Sequence, residues 1–172
     1  MAQKLRVPLG FAVAAAVLYF AQPATRSIAF GLPVALLGAV FRALAAGVIK
    51  KDSTLATTGI YSLTRNPLYL GSSLLASGFA IMSWNEIAAS LLLVPFVLIY
   101  PTVILREESH LEKLFPSEFR VYKAQVPRIV PRLTSRFQPS FSFNQYLSNR
   151  EYNTALGLIG GLGVLIFKQY LG

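Results

Sequence analysis

Cysteine is absent from the 172-residue chain, and only seven residues are acidic. The lack of cysteine excludes disulfides, thiolate metal sites and cysteine nucleophiles, and it leaves the redox compartment undetermined. The one histidine, His110, follows Glu107 and Glu108 at a spacing that matches no metal-binding motif, so we expect no metal site. The sequence also lacks a phosphate-binding P-loop, a complete dinucleotide fingerprint and a nucleophile-elbow serine.

Apolar residues are abundant instead. The chain is 54% hydrophobic and 13% charged, and its mean hydropathy is +0.54. A soluble core of this size cannot bury so much apolar surface, so we expect one integral-membrane domain over residues 1–172. The net charge of +9 is then better explained by basic loops near anionic headgroups than by nucleic-acid binding.

The apolar segments predict an all-α, multi-span helical membrane protein with about five transmembrane helices. Each segment is long enough to cross a hydrocarbon core of roughly 30 Å as a helix. We interpret the first as a retained helix, because it is too long for a signal peptide and no clear cleavage site follows it. The predicted spans are residues 7–25, 28–49, 67–84, 87–105 and 153–171.

Residues 106–125 predict an amphipathic helix on the cytoplasmic side. Leu111, Phe115, Phe119 and Tyr122 recur at three- and four-residue spacing, which is typical of one apolar helix face. Pro127 ends this helix, because proline biases the residue before it towards extended geometry.

The basic residues predict the orientation. With a cytoplasmic N-terminus, most of the 16 Lys and Arg residues fall on the cytoplasmic side, including Lys51 and Arg136, whereas Arg42 is intramembrane. This asymmetry follows the positive-inside rule. A compact chain with few loops favours a bacterial or archaeal cytoplasmic membrane over the endoplasmic reticulum.

Two polar clusters flank the third and fourth predicted spans. The first, Gly59–Gly71, includes Asn66 as a candidate N-cap and Pro67 in the first turn of a helix. The second is Arg106–His110. Because a short turn joins the two spans, we expect the clusters to meet and form one interfacial cofactor site within a core of residues 50–133. An interfacial salt-bridge cluster is the alternative interpretation of these charges.

These residues resemble a known family. Gly59-Ile60-Tyr61 followed by Arg65-Asn66-Pro67-Leu68-Tyr69-Leu70-Gly71 is similar to the Gly-x-Tyr…Arg-His-Pro-x-Tyr-x-Gly signature of integral-membrane methyltransferases. The group includes isoprenylcysteine carboxyl methyltransferases and phospholipid N-methyltransferases. The later Glu107-Glu108…Phe115…Tyr122…Val126-Pro127 passage also resembles that family. The resemblance covers about residues 50–133.

The resemblance implies S-adenosylmethionine as methyl donor and a lipophilic acceptor that enters from the bilayer. S-adenosylmethionine carries a sulfonium, an amino group and a carboxylate, so its binding site requires partners of both charge signs and aromatic faces. The implied residues fall into three groups. The cofactor-binding residues are Ser53, Thr54, Leu55, Ala56, Tyr61, Asn66, Pro67, Leu68, Tyr69 and Glu107. The catalytic candidates are Glu107, Glu108 and Arg106, and the substrate-binding candidates are Arg128 and Arg106.

Two positions depart from the family pattern. Asn66 stands where the family has histidine, which keeps hydrogen bonding but loses a titratable role. Val103 stands where carboxyl methyltransferases place an arginine that holds the substrate carboxylate, and Arg106 or Arg128 are the candidates to replace it. The acceptor is therefore open among an amine, a hydroxyl and a carboxylate on a lipophilic molecule.

Two other functions remain open from the sequence. Sterol reductases carry a similar Arg-His-Pro-x-Tyr passage and bind a nicotinamide cofactor, although this chain is short for that family. The other alternative is a non-catalytic membrane scaffold or lipid-binding protein. The sequence leaves the oligomeric state undetermined.

Overall fold

The computed structural model describes residues 2–50, 53–132 and 138–171, and every regular element in these ranges is helical. The all-α prediction is therefore confirmed. Lys51 and Arg136, two of the residues used to predict the orientation, lie outside the described residues. The helices are α1 Ala2–Phe20, α2 Thr25–Ala46, α3 Pro67–Ser83, α4 Glu86–Leu114, α5 Pro116–Gln125, α6 Phe143–Ser148 and α7 Tyr152–Leu171, with a 3₁₀ turn at Gly59–Ser62.

Helices α2 and α3 form the most extensive helix pair. Small residues allow their backbones to approach closely, as is common in membrane helices. A methyl group added at Gly38 would lie 2.5 Å from the Gly71 carbonyl oxygen, and one at Gly78 would lie 2.5 Å from the Ala35 nitrogen. This close packing fixes the start of α3 beside the end of α2.

Helices α3 and α4 form the predicted hairpin. Trp84 ends α3 in the left-handed conformation with φ of 46°. The side chain of Asn85 then caps α4 by accepting hydrogen bonds from the Ile87 and Ala88 nitrogens at 3.0 and 3.1 Å. The tight turn brings the first residue of α3 and the last turns of α4 to the same end of the molecule.

The prediction of one amphipathic helix over residues 106–125 is wrong, because the structure divides this segment between two helices. Helix α4 continues without a break from Glu86 through the whole Arg106–His110 cluster to Leu114. The break falls at Phe115, where φ is −130° and ψ is 63°, because the residue before a proline is disfavoured in helical geometry. Pro116 then opens α5, which ends at Gln125 as predicted.

Three of the described helices are long and apolar enough to cross a membrane, namely α2, α4 and α7. Helix α3 is apolar but shorter, at 17 residues. The number of spans therefore stays a prediction.

The C-terminal part of the chain packs against the end of α2. The Asn149 side-chain amide donates hydrogen bonds to the carbonyl oxygens of Ala46 and Ile49 at 2.8 and 3.1 Å. These bonds satisfy carbonyl groups that the end of a helix leaves unpaired. Farther along, Lys168 of α7 donates to the Leu18 and Tyr19 carbonyl oxygens near the end of α1.

Candidate active site

The Gly59–Gly71 cluster begins with a 3₁₀ turn that requires glycine. Gly59 has a φ of +58°, and a side chain there would lie 2.9 Å from the Ser140 carbonyl oxygen. Only glycine adopts this conformation without a steric penalty. The turn aims the buried Tyr61 towards the end of α4.

Asn66 precedes α3 as predicted, but its side chain does not cap the helix. Its amide nitrogen instead donates to Glu108 Oε1 at 3.2 Å and to the Arg128 carbonyl oxygen at 3.0 Å. The capping prediction is therefore wrong for the side chain, because the buried carboxylate of Glu108 requires a donor. This contact also confirms that the two polar clusters meet.

The segment after α5 pairs with the residues that lead into α3. The Arg65 backbone nitrogen donates to the Pro127 carbonyl oxygen at 2.9 Å, and the Arg132 nitrogen donates to the Leu63 oxygen at 3.0 Å. The buried Thr64 hydroxyl adds a 2.9 Å bond to the Ile129 carbonyl oxygen. These bonds hold α5 over the motif.

The two adjacent glutamates of α4 have different surroundings. The Glu108 side chain is 7% exposed and lies 3.4 Å from Arg65 Nη2 and 3.0 Å from Arg128 Nη2. It links the motif, α4 and the segment after α5. Glu107 is half-buried, and its Oε2 accepts a 2.6 Å hydrogen bond from the Tyr69 hydroxyl.

Two adjoining cavities lie around this network. The first has a volume of about 280 Å³, and α5 covers it with Phe119 and Tyr122. The second has a volume of about 310 Å³ and extends along the first turns of α3. Five residues line both: Ile49, Tyr61, Arg65, Asn66 and Glu107. The two cavities therefore lie side by side.

Most of the residues expected from the sequence border these cavities. The first cavity is lined by Thr54, Leu55, Ala56, Tyr61, Asn66, Glu107 and Glu108, and the second by Tyr61, Asn66, Pro67, Leu68, Tyr69 and Glu107. Ser53, Arg106 and Arg128 line neither. Arg106 is exposed, because it precedes two inward-facing glutamates on the same helix and therefore points away from both cavities.

Five residues of the second cavity were not among the site residues expected from the sequence, namely Arg42, Ile49, Arg65, Ser72 and Tyr100. Arg42 had the clearest signal, since an arginine within an apolar helix is by default a functional-site candidate. Tyr100 lies two helical turns before Glu107 and packs edge-on against Tyr69 with ring centroids 5.1 Å apart.

Arg42 is held by a network that reaches α7. Its Nε and Nη2 bind the two carboxylate oxygens of Glu151 at 2.7 and 2.9 Å, and its Nη1 lies 2.5 Å from the Ser72 hydroxyl. Such a two-pronged arginine–carboxylate pair fixes geometry as well as charge. The start of α7 thus forms part of the support of the second cavity.

Two buried tyrosines add neutral polar groups to the first cavity. The Tyr122 hydroxyl donates a 2.7 Å bond to the Tyr61 carbonyl oxygen. Burial raises the pKa of both phenols well above the usual value; for Tyr122 the Glu108 carboxylate raises it further, whereas Arg65 opposes the shift. Both side chains therefore stay protonated at physiological pH.

No group of three His, Asp or Glu side chains within the described ranges is arranged to hold a metal ion. The charged side chains at the cavities instead pair with one another, as in the Glu108 and Arg42 networks.

The fold and the site describe a helical membrane protein with a polar pocket at one end of its helices. The chain belongs to the phospholipid methyltransferase family, whose model matches residues 10–118. It is 35% identical over 106 residues to the cobalt-zinc-cadmium resistance protein CzcN of Cupriavidus metallidurans and 34% identical over 106 residues to the nickel-cobalt-cadmium resistance protein NccN of Alcaligenes xylosoxydans xylosoxydans. These matches cover 62% of this chain and 48% and 49% of the relatives, so the chain spans about half of their length.

The chain is also 29% identical over 94 residues to protein-S-isoprenylcysteine O-methyltransferase of Schizosaccharomyces pombe, covering 55% of this chain and 40% of that protein. No solved structure matches. The family membership confirms the resemblance to membrane methyltransferases, and it favours that interpretation over a sterol reductase.

Proposed function

We propose that this protein is an S-adenosylmethionine-dependent methyltransferase that acts on a lipophilic acceptor embedded in the membrane. The observation that carries the proposal is the pair of adjoining cavities that share Tyr61, Arg65, Asn66 and Glu107. A methyl transfer requires two bound ligands whose reacting atoms are in contact. Because the two cavities have lining residues in common, ligands in them would lie next to each other.

The first cavity fits the methyl donor. When bound, S-adenosylmethionine supplies an electrophilic methyl group on a positively charged sulfur. Glu107 provides negative charge, Tyr61 and Phe119 provide aromatic surface, and Leu55 and Ala56 provide apolar surface. Buried guanidinium nitrogens of Arg65 that lack a partner among the described residues further indicate that this cavity accepts a polar ligand.

The residues of this chain act mainly by positioning and by excluding water. Helix α5 covers the first cavity, and the bonds between residues 63–66 and 127–132 hold it there. The Glu107 carboxylate lies where the cavities adjoin, so it is the group we assign to accept a proton from an amine or hydroxyl acceptor. Glu108 is occupied by Asn66, Arg65 and Arg128, and we assign it a positioning role.

The second cavity is the proposed acceptor site. It combines hydroxyls, such as those of Tyr69 and Ser72, with the apolar side chain of Leu68. Leu68 and Tyr69, which the resemblance implies for the cofactor, are therefore proposed for the acceptor instead. This mixture suits a polar headgroup attached to a lipid chain. Arg106 and Arg128 are not assigned to substrate binding, because neither lines this cavity. With the N-terminus cytoplasmic, both cavities would open at the cytoplasmic face of the membrane.

Binding of S-adenosylmethionine and S-adenosylhomocysteine to purified protein, measured calorimetrically in detergent and in lipid nanodiscs, tests the proposal. We expect micromolar affinity for at least one of them. Glu107→Gln should weaken it about tenfold, since a charged hydrogen-bond partner is lost. Glu112→Gln is the matched control, because Glu112 lies on the same helix but is half-exposed and pairs with Lys123. Absence of binding in both media would overturn the proposal.

A further inference from the structure

Arg65 stands at the junction of the two cavities with hydrogen-bond donors that are not used. Its side chain is 8% exposed, and its Nη2 lies 3.4 Å from Glu108 Oε1. Its Nε and Nη1 are buried and have no hydrogen-bond partner among the residues that the structure describes. Buried polar groups are nearly always paired, so these two nitrogens point to a ligand that supplies oxygen acceptors.

The other cations near the site do not have this property. Every guanidinium nitrogen of Arg42 already donates to Glu151 or Ser72. Arg106 and Arg128 line neither cavity. Lys50 borders the first cavity but is exposed, so its ammonium is hydrated.

The charges around Arg65 also favour an additional anion. The single carboxylate of Glu108 is shared between Arg65 and Arg128, at 3.4 and 3.0 Å from their Nη2 atoms. Two positive charges thus share the Glu108 carboxylate, while the other carboxylate at the junction, Glu107, accepts a hydrogen bond from the Tyr69 hydroxyl. Guanidinium groups bind carboxylate and phosphate oxygens through paired N–H donors, which matches the two nitrogens left over.

We propose that Arg65 is the anion-binding residue of the two-cavity site, and that its Nε and Nη1 bind a carboxylate or phosphate oxygen of the ligand. The inference extends the proposed methyltransferase function and rests on it for the identity of the ligands. The anion has two possible sources: the amino-acid carboxylate of the methyl donor, or an acidic group on the lipophilic acceptor.

A first experiment tests the donor as the source. Affinities of S-adenosylhomocysteine and of 5′-methylthioadenosine, which lacks the amino-acid group, are measured for the natural protein, Arg65→Gln and Arg65→Lys. If Arg65 binds the donor carboxylate, Arg65→Gln reduces the preference for S-adenosylhomocysteine about tenfold or more, and Arg65→Lys restores part of it. The readout is a ratio within one variant, so a loss of stability does not imitate it.

A second experiment tests the acceptor as the source. The thermal midpoint of the protein in dodecyl maltoside is measured with dodecanoic acid, dodecyl phosphate and the neutral dodecanol. If Arg65 binds an acidic headgroup, the two anions raise the midpoint of the natural protein more than dodecanol does. Arg65→Gln then abolishes the difference between the anions and the alcohol.

Two variants serve as matched controls. Arg128→Gln also removes an arginine partner of Glu108 but lies outside both cavities, so it should lower stability and keep the anion preference. Lys50→Gln removes the exposed cation of the first cavity and should keep the preference too. The inference is overturned if Arg65→Gln discriminates like the natural protein in both experiments, or if Lys50→Gln is the variant that loses discrimination. If the natural protein binds no S-adenosylhomocysteine, the proposed function fails, and the second experiment alone decides the role of Arg65.

Discussion

The Tyr69 hydroxyl on α3 donates a 2.6 Å hydrogen bond to Glu107 Oε2 on α4. The Tyr69 ring is supported in turn by Tyr100, which packs edge-on against it, and Tyr100 contacts Phe96 with ring centroids 4.4 Å apart. The ring contacts with Tyr100 and Phe96 of α4 hold Tyr69 in place, and Tyr69 in turn restricts the orientation of the Glu107 carboxylate. A short bond to an ionised acceptor restricts orientation more strongly than a neutral one.

Tyr69→Phe should therefore weaken the binding of S-adenosylhomocysteine about fivefold, because loss of this bond frees the Glu107 carboxylate to rotate. Calorimetry on purified protein measures the effect. Tyr170→Phe, on an exposed residue of α7, is the control for the same chemical change. Equal affinities for the two variants would contradict the role of Tyr69 in orienting Glu107.

Glu108 and Arg128 form an ion pair whose two members are buried to different degrees, with side chains 7% and 45% exposed. Glu108→Ala leaves the buried Arg65 without its carboxylate and should lower stability by about 3–5 kcal/mol. Arg128→Ala removes a half-exposed partner and should lower it by about 1 kcal/mol or less. Denaturation in detergent, followed by circular dichroism, compares them. Similar losses for both would show that Glu108 is not the centre of the network.

Much of the fold and site followed from the sequence because the relevant signals are local. Apolar runs gave the helices, and the short turn between α3 and α4 required the two polar clusters to meet. The position of Asn66 before α3 was also predictable. Its side-chain role was not, because Glu108, which accepts one of its hydrogen bonds, is 42 positions away, and a capping bond was equally compatible with the local pattern.

Arg42 shows the limit of local reasoning more clearly. Its partner Glu151 is 109 positions away, and no periodicity relates the two residues. The pair forms because the chain before α7 returns to the end of α2, where Asn149 binds the carbonyl oxygens of Ala46 and Ile49. The break at Phe115 was, in contrast, available from Pro116 and was missed because the apolar periodicity of residues 106–125 continues through it.

Stability should decrease at alkaline pH because of Tyr61 and Tyr122. Burial is the largest cause of the raised pKa of both phenols. In the unfolded chain they ionise near pH 10. A group whose pKa is raised in the folded state stabilises the fold below its unfolded pKa, and this contribution is lost as pH rises above about 10.

The thermal midpoint measured between pH 7 and 11 should therefore fall above about pH 10. Tyr122→Phe removes one of the two phenols and should show a shallower fall, although its midpoint at pH 7 is lower by the loss of the bond to the Tyr61 carbonyl oxygen. That loss is worth about 1 kcal/mol. An equally steep fall in the variant would contradict the contribution of Tyr122.

The close contact between α2 and α3 should tolerate no added side-chain atom. Ala at Gly38 would place a methyl group 2.5 Å from the Gly71 oxygen and 2.6 Å from the Leu75 nitrogen. These are backbone atoms, so the helices must separate, at an expected loss of about 1–3 kcal/mol. The second cavity lies between Arg42 of α2 and Ser72 of α3, and separation should loosen their 2.5 Å contact.

Gly160→Ala is the matched control, because nothing lies within 4 Å of that position and alanine favours helix by up to about 1 kcal/mol. Thermal midpoints should therefore move in opposite directions, and an unchanged midpoint for Gly38→Ala would contradict the backbone contact as the feature that positions the site.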